Sequence, residues 1–143
     1  MGCRFELVLS GAPDLFLFSA GEEAIELIEE AHARLTRFEP GSVVSRLTAG
    51  SEERLDAELF GLFETCEDVR TASDGAFDIT RGGALALDAD RRTVRVLRGD
   101  IDMGGIGKGF AVDLAAASLR ESGVPGGFVH AGTSTCRGFG DAE

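Results

Sequence analysis

Residues 102–110 read DMGGIGKGF and run directly into a helix-like segment, AVDLAAASLRES. Four glycines and a lysine are an uneconomical way to begin a helix. Glycine costs about 1 kcal/mol relative to alanine in a helix interior. A lysine there also faces the positive end of the helix dipole, which is unfavourable unless something negative lies between them. Both choices suit an anion site. Gly104, Gly105, Gly107 and Gly109 leave backbone N–H groups uncrowded, and Lys108 adds an ammonium, so that a phosphate or carboxylate could be cradled. The competing reading is that the glycines serve close backbone packing and Lys108 is solvated. The stretch alone leaves both open.

Two familiar phosphate motifs are excluded. GxxxxGK[ST] fails because Asp102 stands where the first glycine belongs and Gly109 where the hydroxyl residue should be. GxGxxG fails because Gly105-Ile106-Gly107-Lys108-Gly109 is followed by Phe110. Asp113 lies five residues after Lys108, about 140° around an ideal helix, so the two do not share a face. Asp78, within the otherwise apolar AFDIT, is either on the outward face of a strand or a positioned polar group; spacing favours the outward face. Ser42, Ser45, Thr133, Ser134 and Thr135 are hydroxyls in glycine-rich turns, with no acid–histidine pair in a relation that supports nucleophilic serine chemistry. His32 sits in a charge-rich helix, and His130 at a strand end lacks the further His or Cys that would complete a metal set.

Composition narrows the ligand. The 143 residues suit one domain over 1–143, and a hydrophobic content of 43 % supports a packed core. With 25 acidic against 14 basic residues the net charge is −11, which argues against a nucleic-acid binder and against anionic membranes. An anionic ligand therefore needs a local positive site. Cys3, Cys66 and Cys136 are too few and too scattered for a disulfide framework, and read as reduced thiols of a cytoplasmic protein. No signal peptide or lipoprotein anchor is visible, and no run approaches the length of a membrane span.

The elements that must position these residues follow from periodicity. Residues 3–11 alternate apolar and polar, turn at residues 12–14, and lead into LFLFSA, which predicts a hairpin. Residues 21–40 predict a helix whose stripe is Ala24, Ile25, Ile28, Ala31, Leu35 and Phe38. GSVVSRLTAGSEERL is loop-like, and residues 56–73 predict a second helix carrying Leu59, Leu62, Phe63, Cys66 and Val69. A hairpin turning at residues 88–91, a helix after Gly107 stopping at Ser122-Gly123, and a closing pair of strands around a glycine turn complete the chain. Strands arriving as hairpins imply an α+β fold of mostly antiparallel sheet with about three helices.

Four ordered blocks resemble the ApbE family, the flavin transferases that move FMN from FAD onto a protein Ser or Thr. RFEPGSVVSRLTAG is similar to the family's SRFDPxSExSRLN, and DGAFDIT to its GxFDxT. DIDMGGIGKGFAVDLAAASL closely resembles IDLGGIAKGYAVDxAAxxL, and FVHAGTSTCRGFG resembles VNxGGDIRxxG. The resemblance implies an ApbE-like, T-fold-related partial domain covering about the first half to two thirds of a family member. It implies FAD as substrate, an acceptor flavoprotein as partner, and the FAD pyrophosphate as the anion at Lys108, Gly104 and Gly107. Ser42, Ser45, Asp78, Thr80, Asp113, Gly132 and Thr133 become candidates for binding the cofactor. The main-chain carbonyl of Gly105 would be one ligand of Mg²⁺.

The departures bear on activity. The family's other metal ligands, an Asp and a Thr in a DxxxT stretch, lie beyond the point where this sequence ends. Thr48 replaces an Asn, Gly132-Thr133-Ser134 replaces Gly-Gly-Asp, and Phe110 stands where the family often has Tyr. Magnesium prefers hard oxygen ligands including one or two carboxylates, so a single carbonyl would hold it poorly. The resemblance thus leaves an enzyme whose site is completed elsewhere, a non-catalytic flavin module, or a structural remnant. Sheet edges left unpaired by a short chain invite self-association. We expect a dimer or larger species by light scattering at high concentration; a monomer mass overturns that expectation.

Overall fold

The computed structural model describes residues 4–140; Cys3 and the last three residues lie outside them. In chain order the elements are β1 (Phe5–Ser10), α1 (Asp14–Leu35), α2 (Val43–Arg46), β2 (Glu52–Arg54), α3 (Ala57–Ala72), β3 (Ala84–Asp88), β4 (Thr93–Arg98), α4 (Gly107–Glu121), β5 (Gly126–Ala131) and β6 (Thr135–Gly140). They form two compact units, one built from Met1–His32 with Gly107–Glu143 and the other from Ala33–Ile106. Each holds a three-stranded antiparallel sheet, ordered β1-β5-β6 in the first and β2-β4-β3 in the second. The class is α+β with antiparallel sheets, as the hairpin pattern implies. Four helices are described; the fourth, α2, is a single turn within the segment read as loop.

One predicted element is overturned. LFLFSA is not a second strand but the first turns of α1. The Pro13 carbonyl accepts the Phe16 and Leu17 N–H groups at 3.0 and 3.1 Å, closing the helix start at Asp14. Strand β1 finds its partner at the far end of the sequence, with Val8 opposite Phe128. Leu15 and Phe18 are exposed. The α1 stripe is also narrower than predicted. Ala24, Ile28, Ala31 and Leu35 are buried, whereas Ile25 faces out and Phe38 lies beyond the helix with the Arg37 guanidinium over its ring.

In the unit that carries the glycine-rich helix, the core is made of small residues. Ala20, Ala24, Ile28 and Ala31 of α1 cluster with Ala111, Val112, Ala115, Ala116 and Leu119 of α4 and with Val129, Ala131 and Phe139 of the sheet. Alanine faces let α4 lie close on β5 and β6, so the start of α4 is held by packing along its length. The helix ends as predicted, with Gly123 at φ +87° and the Val124 N–H bonded to the Leu119 carbonyl at 3.0 Å. The β5–β6 hairpin pairs Ala131 with Thr135, leaving residues 132–134 as its turn.

The other unit buries Leu59, Leu62, Phe63 and Cys66 along α3, and Val94 and Val96 on β4. Helix α3 begins where predicted because Asp56 caps it, accepting the Leu59 N–H at 2.9 Å while also receiving the Arg34 guanidinium. No helix among the described residues is long and apolar enough to cross a membrane. Cys66 and Cys136 are both free thiols. Burial, with a contribution from the Glu67 charge, pushes the Cys66 thiol up to about 12, whereas Cys136 is exposed on β6. Because the thiolate is the reactive form, N-ethylmaleimide at neutral pH should label Cys136 in the native protein and spare Cys66 until denaturant is added. Peptide mapping checks this, and native labelling of Cys66 would refute the packing described.

Candidate functional site

The start of α4 has the composition of an anion site; a Cβ on Gly105 would press on the Phe77 ring at 3.2 Å and Gly107 is buried, so packing accounts for part of that composition. None of Gly104, Gly105, Gly107 or Gly109 adopts a positive φ. A Cβ built on Gly109 would meet nothing within 4 Å, so neither conformation nor packing demands glycine there. What remains is a bare stretch of backbone where the first N–H groups of a helix lack intrahelical partners. Lys108, the only lysine in the sequence, extends from this start and donates from Nζ to Ser134 Oγ at 2.7 Å. Among the described residues Lys108 makes no ion pair. In a chain of net charge −11, its ammonium is matched with a hydroxyl and not a carboxylate.

Around Lys108 the β5–β6 turn supplies the remaining candidates. Gly132 takes φ +61°, a conformation glycine adopts without penalty, and its N–H reaches the Arg4 carbonyl at 3.0 Å. Thr133 is exposed in the same turn. Asp113 accepts from Arg137 Nη1 of β6 at 2.9 Å. The two contacts, Lys108 to Ser134 and Asp113 to Arg137, link α4 with the hairpin on different faces of the helix. Next along the sheet, His130 Nδ1 lies 3.6 Å from Glu6 Oε2, and its ring stacks on Phe128.

In the other unit the outward-facing expectation for Asp78 is overturned. Residues 76–80 are a turn and not a strand, and Asp78 folds back onto its own backbone. Its Oδ1 accepts the Thr80 hydroxyl at 2.6 Å and the Thr80 N–H at 2.8 Å, while Oδ2 accepts the Gly82 N–H at 2.8 Å. Arg70 Nε lies 3.7 Å away. Partial burial pushes the Asp78 carboxyl up, but the bonds from Thr80 and Gly82 and the Arg70 charge outweigh it. The net result holds the carboxyl below the usual aspartate range. Thr80 itself is fully buried.

Asp102 makes a second turn of the same kind, accepting the Gly104 N–H at 2.9 Å, with Arg37 and Arg81 facing its other oxygen at 3.8 and 4.0 Å. Asp78, Asp102, Phe77, Arg81, Gly104 and Gly105 line a concavity of about 370 Å³. Ser42 and Ser45 lie together elsewhere in this unit. Ser42 is buried as the cap of α2, accepting the Ser45 N–H at 2.9 Å and donating to the Thr36 carbonyl, and the Ser45 hydroxyl bonds the Ser42 carbonyl at 2.9 Å. Both hydroxyls are thus engaged with backbone.

Magnesium does not fit the donors described. Among the described residues no group of three or more His, Cys, Asp or Glu could hold a metal. The two carboxylates sharing the concavity with Gly105 are already bonded to backbone N–H groups and faced by Arg70, Arg37 and Arg81. One carbonyl beside such pairs is a poor cage for a hard dication. The arginines and the Ser134 contact were not foreseen from sequence. Ser134 was marked in the sequence as one of several hydroxyls in glycine-rich turns, without a partner named for it.

The fold is shared by solved structures of ApbE proteins. The ApbE protein of Thermotoga maritima MSB8 superposes with a TM-score of 0.77 at 19 % identity, covering 90 % of this chain and 57 % of that one. The flavin transferase ApbE of Vibrio cholerae gives 0.78 at 15 %, covering 91 % and 54 %. The apo flavinyl transferase ApbE of Pseudomonas stutzeri gives 0.72 at 22 %, covering 96 % and 57 %. At these identities the likeness is one of fold, and the chain spans little more than half the length of those proteins. No curated protein matches it. The model of the ApbE family matches residues 1–95 and 83–143, which together span the sequence, and the chain belongs to that family.

The Asp78 turn generates a pH-dependent prediction. A carboxyl whose folded pKa is depressed contributes stability above its unfolded value, about 3.9, and loses it as pH falls through the lower folded value. Asp78→Ala should lower the unfolding free energy by about 2 kcal/mol at pH 7, by orphaning the buried Thr80 hydroxyl and two N–H groups. The gap to the unsubstituted protein should narrow below about pH 4. Urea titrations across that range check it; a gap that does not change with pH would refute it.

Proposed function

We propose that this chain binds FAD and transfers its FMN part to a serine or threonine hydroxyl, with a flavoprotein as acceptor. The observation that carries the reading is Lys108 at a helix start, held at 2.7 Å to a hydroxyl and in no ion pair among the described residues. An ammonium and free helix N–H groups suit a pyrophosphate. They also stabilise the charge that builds as a hydroxyl oxygen attacks phosphorus and AMP leaves. Family membership and the flavin transferases that share the fold support the same chemistry. Asp78 and Thr80, whose hydrogen bonds fix the backbone of residues 78–82, are further candidates for binding the flavin. Gly104, Gly107, Asp113, Gly132 and Thr133 belong to the proposed site through their places at the helix start and the facing turn. A single-domain organisation, a cytoplasmic location and self-association are part of the same proposal.

A second reading is favoured by the donor set. With no described ligand group for Mg²⁺, the chain could serve as a non-catalytic flavin-binding module. Calorimetric titration of FAD, with and without Mg²⁺, separates the two. Lys108→Ala should weaken FAD binding at least tenfold, the scale of a lost charge-assisted contact of about 1.5 kcal/mol. Unchanged affinity in Lys108→Ala would overturn the anion site. Binding that tightens with Mg²⁺ would favour the enzyme with a completed metal site, and binding indifferent to it would favour the module.

A further inference from the structure

We propose that Ser134 is itself an acceptor, so that the chain can carry FMN covalently on its own β5–β6 turn. The inference rests on the FMN-transfer reading above and names the hydroxyl within reach of that site. Ser134 is exposed, lies on a three-residue turn, and has its Oγ 2.7 Å from the only ammonium group of a lysine in the sequence. An ammonium carries three donors. One can hold the Ser134 oxygen while the others hold a pyrophosphate at the same helix start. An attacking oxygen and its phosphorus would then share one positive charge, which is the geometry that makes an intramolecular transfer efficient.

The contact also has the correct polarity. Lys108 donates to Oγ, so the hydroxyl hydrogen is left free and the oxygen is stabilised as negative charge develops on it. In the transfer, Ser134 Oγ forms a bond to the phosphorus of the FMN half. The pyrophosphate P–O bond to the AMP half breaks, AMP leaves with that electron pair, and the hydroxyl proton passes to water. The product is a phosphodiester linking Ser134 to riboflavin, and no electron is gained or lost. A carboxylate at this position could pair with Lys108 but would not yield such a diester.

The test is to incubate the full chain with FAD and Mg²⁺, then follow two readouts separately. Released AMP is measured by chromatography, and covalent flavin by fluorescence of the denatured protein. We expect both, with a mass gain of one FMN less water on the tryptic peptide 121–137, fragmentation placing it on Ser134. Ser134→Ala should abolish the covalent fluorescence, and Ser134→Thr should restore part of it. AMP release without covalent flavin, or flavin mapped to Thr133 or Thr135, would overturn this proposal while leaving the transfer reading intact. Neither AMP nor covalent flavin would overturn both. The turn is exposed, so Ser134→Ala should unfold with the same urea midpoint as the unsubstituted protein, which excludes misfolding as the cause of a loss.

Discussion

The close packing of α4 on β5 and β6 is the constraint on which the candidate site depends. Ala111, Ala115 and Ala116 present no bulk, so the helix can lie against a sheet whose own inward residues include Val129 and Ala131. A larger residue on this face would lift the helix, because interiors packed at crystal density have no slack for added methylenes. Lifting α4 would move Lys108 away from the residue 132–134 turn and break the hydroxyl contact. The position of Lys108 at the helix start is thus set by a helix face on which no reactive residue lies.

Two different uses of aspartate divide the remaining polar structure. Asp78 and Asp102 each fold back to bond nearby N–H groups, and arginines from Arg70, Arg37 and Arg81 face them. Such carboxylates are structural anions, already saturated by backbone donors and guanidinium charge. Lys108 is the inverse case, a cation whose described partner is neutral. Among the described residues no carboxylate pairs with the lone lysine of this acidic sequence.

The sequence was most legible where a signal was local. The start of α3 at about residue 56, Gly123 as a stop, the turn at residues 88–91 and the glycine turn before Thr135 all appear where the residue types put them. Each depends on backbone preferences within four or five residues. LFLFSA was misread because an apolar run is compatible with either period, and the strand that pairs with β1 is β5, more than a hundred residues away. Asp78 was misread because its acceptor role depends on N–H groups freed by a turn that the spacing of AFDIT does not announce.

By itself, the sequence determined the class of elements, the order of the four family blocks, the acidic surface, and the suspicion attached to glycines around a single lysine. Composition and short-range stereochemistry are enough for that. Only the tertiary structure decided that Lys108 meets Ser134 across 26 residues, that Asp113 is taken by Arg137, and that Ser42 and Ser45 are committed to a cap. Those outcomes depend on which side chains a distant strand or turn brings within 3 Å, and hydrogen-bond energy falls away too steeply with distance for spacing along the chain to reveal them.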